Sequence, residues 1–170
     1  MIDSVPSYLF TKNIRFVVKS VVWHPDKKIN KFLVLRRSES EFIRPSTFDI
    51  PGGGIHFGEL YQDGIKREVY EETGLKINNI QELILFTSYQ PNENIYNIIL
   101  GVSSWAVEDQ IRLSPEHQKY RWMTFDEFLN YHPAYIFVHN RLFNIHSNDF
   151  ICDIVTKAFS YKKMSELIDF

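Results

Sequence analysis

Apolar and polar positions alternate along this chain in two rhythms. Arg15 to Trp23 (RFVVKSVVW) and Lys31 to Arg36 (KFLVLR) are short, valine- and leucine-rich runs, which predict two β-strands joined as a hairpin through a turn at His24-Pro25-Asp26. Asp49-Ile50-Pro51 predicts a short strand running into glycines. Leu83 to Ser88 and Tyr96 to Val107 predict two further strands, and Tyr120 to Met123 a last short one. The helical rhythm appears three times. Leu60 to Thr73 reads as a helix closed by Gly74, because glycine takes the left-handed conformation that ends a helix without a Cβ penalty. Thr124 and Glu127 have capping-box spacing and start a helix that runs to Tyr131, ended by His132-Pro133. Asn148 to Lys162 carries Phe150, Ile151, Ile154, Val155, Ala158 and Phe159 as a stripe at helical spacing, which is core packing. Met1 to Asn13 fits either a short helix or an arm.

The helix from Leu60 is the unusual one, because its packing face also carries acids. At about 100° per residue, with Glu68 as zero, Glu72 falls near +40° and Glu71 near −60°. The three carboxylates thus continue the side that carries Tyr61, Gly64 and Ile65, where a second layer should pack. Crowded, partly buried carboxylates repel one another and lose hydration, so a cation must compensate. Arg67, four residues from Glu71, is one partner, and its fork can hold a carboxylate at a fixed angle. One arginine does not neutralise three acids. A divalent cation does, and all-oxygen ligands favour Mg²⁺ or Mn²⁺. The competing reading is a solvated helix face laced with ion pairs. The glycine run just before it, Gly52-Gly53-Gly54, weighs against that, since glycine lets backbone approach a ligand closely.

Composition adds bounds. The chain has 170 residues, which suits a single domain spanning 1–170, with 44% hydrophobic and 24% charged residues. The net charge of −2 gives no electrostatic reason to expect a nucleic-acid or membrane partner. One cysteine, Cys152, allows no disulfide within the chain and fits a reducing, cytoplasmic setting; its apolar surroundings mark it as a small core residue rather than a nucleophile. The first ten residues lack the pattern of a signal peptide, and no window reaches the ~18 apolar residues of a membrane helix.

Gly53, five residues, Glu59, seven residues, Arg67-Glu68-Val69, one residue, Glu71-Glu72, one residue, Gly74-Leu75 is a complete match to the Nudix box, and on it the chain is identified as a member of the Nudix hydrolase family. The resemblance implies an α/β/α sandwich with a mixed sheet and a loop–helix–loop site. It also implies Mg²⁺-dependent hydrolysis of a nucleoside diphosphate linked to another group, by water attack at phosphorus. On this reading Glu68 and Glu72 ligate metal directly, Glu71 ligates or bridges through water, the Gly52 carbonyl completes the set, Arg67 orients the acids, and Glu59 supports the loop and joins the metal network.

Arg36, Arg37 and Arg44 lead into the glycine loop. They are either solvated surface arginines or contacts for substrate phosphates. In the family, the region of Tyr89 to Asn94 lies near substrate, and Pro91 stands near the position seen in ADP-ribose hydrolases. The layout Glu116-His117-x-x-Tyr120-Arg121-Trp122 resembles GDP-mannose mannosyl hydrolases, where the matching histidine is the general base. It also resembles nucleotide pyrophosphatases, where the matching glutamate holds metal or water. Either Glu116 or His117 is therefore expected to activate the water. A nucleotide sugar is the favoured substrate. Carbon attack on GDP-mannose, an ADP-ribose or nucleoside triphosphate pyrophosphatase, and a non-enzymatic nucleotide sensor are the alternatives. Dimerisation is common in the family, which leaves a homodimer open. Val138-His139-Asn140-Arg141 is a further polar cluster, loosely like one in sugar-nucleotide hydrolases.

Overall fold

The structure is a computed structural model describing residues 13–40, 46–90, 95–131, 135–138, 141–144 and 150–168, with side chains described except at 88–90, 131, 135–138, 141–144 and 167–168. Arg44, Pro91, His139 and Asn140 lie outside the described residues, as does the side chain of Tyr89.

Strand β1 (Ile14–Trp23) is the centre of a mixed sheet. It pairs in parallel with β5 (Ile95–Ala106) over ten residues, from Ile14↔Tyr96 to Trp23↔Trp105. Antiparallel β4 (Ile77–Gln90) lies outside β5. On its other edge β1 meets β2 (Phe32–Arg37) at Trp23↔Phe32, and there the two strands part. The gap between them is filled by the segment that begins with β3 (Phe48–Asp49), which pairs with Leu35 and Arg36. That segment continues along β1: the Ser20 amide donates to the Pro51 carbonyl at 2.9 Å, Val18 to Gly53 at 2.9 Å, and the Ile55 amide to Phe16 at 2.9 Å. The glycines are thus wedged into the sheet. Strand β6 (His117–Met123) covers β2 from Phe32↔Met123 to Arg37↔His117, with a bulge between Arg36 and Arg37.

From Val18 to Trp23 β1 is buried on both faces, which is why that stretch reads as a largely apolar run. Val18 and Val22, with Leu33 and Leu35 of β2, pack beneath helix α1 (Tyr61–Thr73) through Ile65 and Val69. Val21 and Trp23, with Phe32 and Val34, meet helix α3 (Phe150–Ile168) through Ile151, Ile154, Val155, Ala158 and Phe159. One helix on each face makes the expected three-layer α/β/α arrangement. Helix α2 (Phe125–Tyr131) starts on the predicted capping box, with Glu127 N–H donating to Thr124 Oγ1 at 3.2 Å and Thr124 N–H to Glu127 Oε2 at 2.7 Å. Gly74, at φ 74°, ends α1 and donates to the Tyr70 carbonyl at 2.8 Å.

Several boundaries differ from expectation. β4 begins at Ile77 rather than Leu83, because β5 supplies partners to the polar run INNIQE across two register shifts. β6 begins at His117 rather than Tyr120, so His117 is a strand residue and not a loop residue. α3 continues past Lys162 to Ile168, helped by a Lys162–Glu166 ion pair at 3.7 Å one turn apart. Strands β7 (Tyr135–Val138) and β8 (Arg141–Asn144) pair antiparallel on either side of positions where the sequence suggested only a polar cluster. Cys152 is half-buried at the edge of the α3-side core. No helix among the described residues is long and apolar enough to cross a membrane.

Candidate active site

The wedge of glycines and the C-terminal half of α1 enclose a cleft of about 560 Å³, lined among others by Lys19, Arg37, Asp49, Gly52, Gly53, Glu68, Glu72 and Glu116. The helix does not present its acids equally. Its buried side runs through Gly64, Ile65, Val69, Glu72 and Thr73, so Glu72 sits in the middle of the packing face. Glu68 stands at the border with its side chain 15% exposed, and Glu71 turns outward at 57%. The three carboxylates therefore do not share one environment, and Glu71 does not line the cleft.

Arg67 resolves most of the crowding. Its guanidinium forks onto Glu59, with Nε to Oε1 and Nη2 to Oε2 both at 2.9 Å. Its Nη1 reaches Glu68 Oε1 at 2.9 Å and Glu71 Oε2 at 3.0 Å, and Nη2 also donates to the Gly54 carbonyl at 2.8 Å. The arginine's hydrogen bond holds the Glu59 carboxyl down at about 2, helped by the amide of His56, which donates to Glu59 at 3.0 Å. The same carboxylates raise the arginine's own pKa.

Glu72 is left out of this network. It accepts one hydrogen bond, from the Gly52 amide at 2.9 Å, and burial pushes it up to about 8 despite the nearby Lys19. Gly52 can serve because nothing else fits: its φ is 132°, and a Cβ there would come within 2.1 Å of the Val18 carbonyl oxygen. At Gly53 a Cβ would meet the Glu68 carboxylate at 2.5 Å.

Beneath the acids lies a pair the sequence reading did not single out. Lys19 of β1 is buried, with Nζ 3.1 Å from both carboxylate oxygens of Asp49 and from the Ile50 carbonyl. Arg37 Nη1 reaches Asp49 Oδ2 at 3.3 Å. The signal was present, since a lysine interrupts the half of an apolar strand that is buried on both faces. Among the expected phosphate contacts, Arg37 lines the cleft and Arg36 does not; Arg36 lines a second cleft with Phe48, Lys119 and Arg121. Of the two candidate bases, Glu116 is exposed and lines the cleft, whereas His117 is 4% exposed and is not among the cleft's lining residues. Burial drives the His117 imidazole down to about 4, and neither ring nitrogen has a partner among the described residues.

The donor set can be tested against a divalent cation. Among the described residues no three carboxylate, imidazole or thiolate side chains converge closely enough to hold a metal unaided. Backbone oxygen makes up the shortfall: the carbonyls of Pro51, Gly53 and Gly54 are each taken by a donor, while among the described residues none reaches that of Gly52. Two carboxylates, one of them too deeply buried to ionise comfortably alone, and a free carbonyl form an all-oxygen set that fits Mg²⁺ or Mn²⁺.

Fold and site together define an α/β/α protein whose acidic helix and glycine turn converge on one cleft. The chain belongs to the Nudix family: the NUDIX domain matches residues 14–142. It is 30% identical over 115 residues to human NAD-capped RNA hydrolase NUDT12, an alignment covering 67% of this chain and 23% of that protein. It is 22% identical over 116 residues to nucleoside triphosphatase NudI of Escherichia coli O139:H28, covering 59% and 77%. The chain therefore spans about a quarter of the length of NUDT12. Among solved structures, the MutT protein of Methanosarcina mazei superposes with a TM-score of 0.54 at 27% identity, covering 71% of this chain and 84% of that one. A Nudix hydrolase of Nitrosomonas europaea superposes at 0.66 with 16% identity, covering 88% and 91%, which supports the fold alone.

Proposed function

We propose that this protein hydrolyses a nucleoside diphosphate derivative with the help of Mg²⁺, by attack of water at phosphorus, and that its substrate is a nucleotide sugar. The observation that carries the reading is Glu72: a carboxylate buried beside a glycine turn, in a cleft shared with Glu68 and Glu116. The substrate class is consistent with the two relatives, an NAD-capped RNA hydrolase and a nucleoside triphosphatase. The choice of a nucleotide sugar rests on the Glu116-to-Trp122 layout.

In this mechanism Glu68, Glu72 and the Gly52 carbonyl would hold the cation, while Glu71 stays on Arg67 outside the cleft. When bound, the ion neutralises charge on the phosphates and lowers the pKa of water. Arg67 fixes Glu59 and Glu68 so that neither drifts from the turn. Arg37, which lines the same cleft, would contact the phosphates. Glu116 takes the proton as the oxygen–phosphorus bond forms and the anhydride bond breaks. It suits that role better than His117, which is buried, neutral and outside the cleft's lining. Attack at phosphorus rather than at the sugar carbon is favoured because Glu68, Glu71 and Glu72 are all present, whereas the carbon-attacking relatives have an altered box.

The test is a panel of nucleotide sugars, ADP-ribose and nucleoside triphosphates with and without Mg²⁺, run in ¹⁸O-water. The reading expects Mg²⁺-dependent turnover with label in the phosphate product. Glu72→Gln should lower kcat by at least about a hundredfold while the melting temperature in metal-free buffer holds or rises. Unaltered turnover by that variant, or label in the sugar, would overturn it.

A further inference from the structure

We infer that the cleft on β2 and β6 is a second, separate binding site for a phosphate-bearing ligand with an aromatic ring, of the nucleotide class. It has a volume of about 240 Å³, is lined by Val34, Arg36, Phe48, Lys119, Tyr120 and Arg121, and among the described residues shares no lining residue with the acidic cleft.

Strand pairing places its cations together. Arg36 stands directly opposite Lys119, and Val34 directly opposite Arg121. Because side chains alternate along a strand, Val34 and Arg36 share one face of β2 and Lys119 and Arg121 share the matching face of β6. Two like charges directly opposite each other destabilise a sheet. The usual remedy is an acid nearby, but among the described residues no carboxylate pairs with Arg36 or Lys119. A chain with a net charge of −2 has acids to spare and places none of the described ones here. An anion from outside would relieve the repulsion.

The same face supplies an apolar surface beside the charges. Phe48 lies opposite Arg36 on β3 and is half-buried against the α3-side core, so its ring is held in place. Cations on adjoining strands beside a held aromatic ring fit a phosphate carried on a nucleoside, with the base against the apolar wall and the phosphate between Arg36 and Lys119. Both a free nucleotide and the end of a single-stranded oligonucleotide present that chemistry.

The test measures binding in EDTA, so that no turnover occurs and the outcome does not depend on the proposed reaction. Inorganic phosphate, adenosine, AMP and a 5′-phosphorylated adenylate tetramer are titrated against the full chain and against R36Q/K119Q. AMP should bind at least tenfold more tightly than phosphate or adenosine, and the double variant should lose at least tenfold in AMP affinity. A tetramer that binds tenfold better than AMP, with a salt dependence that flattens in R36Q/K119Q, identifies a strand as the source. Equal affinity for tetramer and AMP identifies a free nucleotide. Circular dichroism of the double variant establishes that it folds; should it fail to, R36K/K119R and R36Q alone carry the comparison, with R36K/K119R expected to bind as the wild type. Undetectable AMP binding, equal affinity for phosphate and AMP, or AMP binding unchanged in R36Q/K119Q overturns the inference.

Discussion

Glu72 and His117 titrate in opposite senses, and their difference gives stability a recognisable pH profile. Folding raises Glu72 from 4.5 to about 8, so the folded chain binds the extra proton across that interval and loses stability as pH rises through it. Folding lowers His117 from 6.5 to about 4, so the unfolded chain binds the extra proton there and the fold gains stability as pH rises to 6.5. Between 4.5 and 6.5 the two slopes oppose each other; above 6.5 only that of Glu72 remains. In EDTA the melting temperature should therefore fall between pH 6.5 and 8, by an amount equivalent to no more than about 2 kcal/mol. The fall should vanish in Glu72→Gln and be flattened by Mg²⁺; a persistent fall in Glu72→Gln would place the titrating group elsewhere. Gly52 gives a second prediction at this scale. Alanine there combines a positive φ with a backbone overlap, so Gly52→Ala should cost at least about 3 kcal/mol in chemical denaturation.

Helix α1 has one glycine within it and one at its C-cap, with opposite consequences. At Gly74 the left-handed backbone is required, so Gly74→Ala should lose about 1 kcal/mol with kcat unchanged. At Gly64, alanine gains about 1 kcal/mol of helix propensity. Its Cβ, however, would sit 3.2 Å from Glu59 Oε2, a carboxylate that the Arg67 fork does not let move freely. Gly64→Ala should leave stability nearly level and lower turnover severalfold, which paired denaturation and kinetic measurements on the two variants will separate. The elements also show what could be read in advance. The α1 boundary, the Thr124 capping box and the α3 stripe were legible because each is a local rule obeyed within about one turn. The start of β4 and the strand position of His117 were not, since both depend on a partner strand that sequence periodicity does not name. For the site, the box named the candidate acids, but a helical wheel could not show that Glu71 would face outward on Arg67 while Glu72 is buried away from it. Lys19 and Asp49 come from strands thirty residues apart, and only the wedge between β1 and β2 makes them neighbours.

At the scale of the whole molecule, the sheet ties the α3 layer to the cleft. Helix α3 settles on β5 at Gly101, where a Cβ would come within 2.6 Å of Ile154 Cγ1, so the helix approaches as closely as a bare backbone allows. Its first residue, Phe150, lines the acidic cleft, while α1 supplies Glu68 and Glu72 from the opposite layer. The cleft is therefore assembled from both sides of the sheet, and its width depends on how closely α3 sits. Gly101→Ala adds a methyl group where none fits and should cost about 1–3 kcal/mol. Because the strain is relieved by lifting α3 and Phe150 with it, KM should rise more than kcat falls. Ile154→Ala alone removes packing and should cost about 2–5 kcal/mol. Together the two changes should cost less than their sum by roughly 1 kcal/mol or more, because the alanine methyl occupies space the isoleucine vacates. A double-mutant cycle on stability, with KM measured for each variant, checks both parts. Strict additivity would separate the α3 seat from Ile154, and an unchanged KM in Gly101→Ala would show that the cleft is set by α1 and the glycine wedge alone.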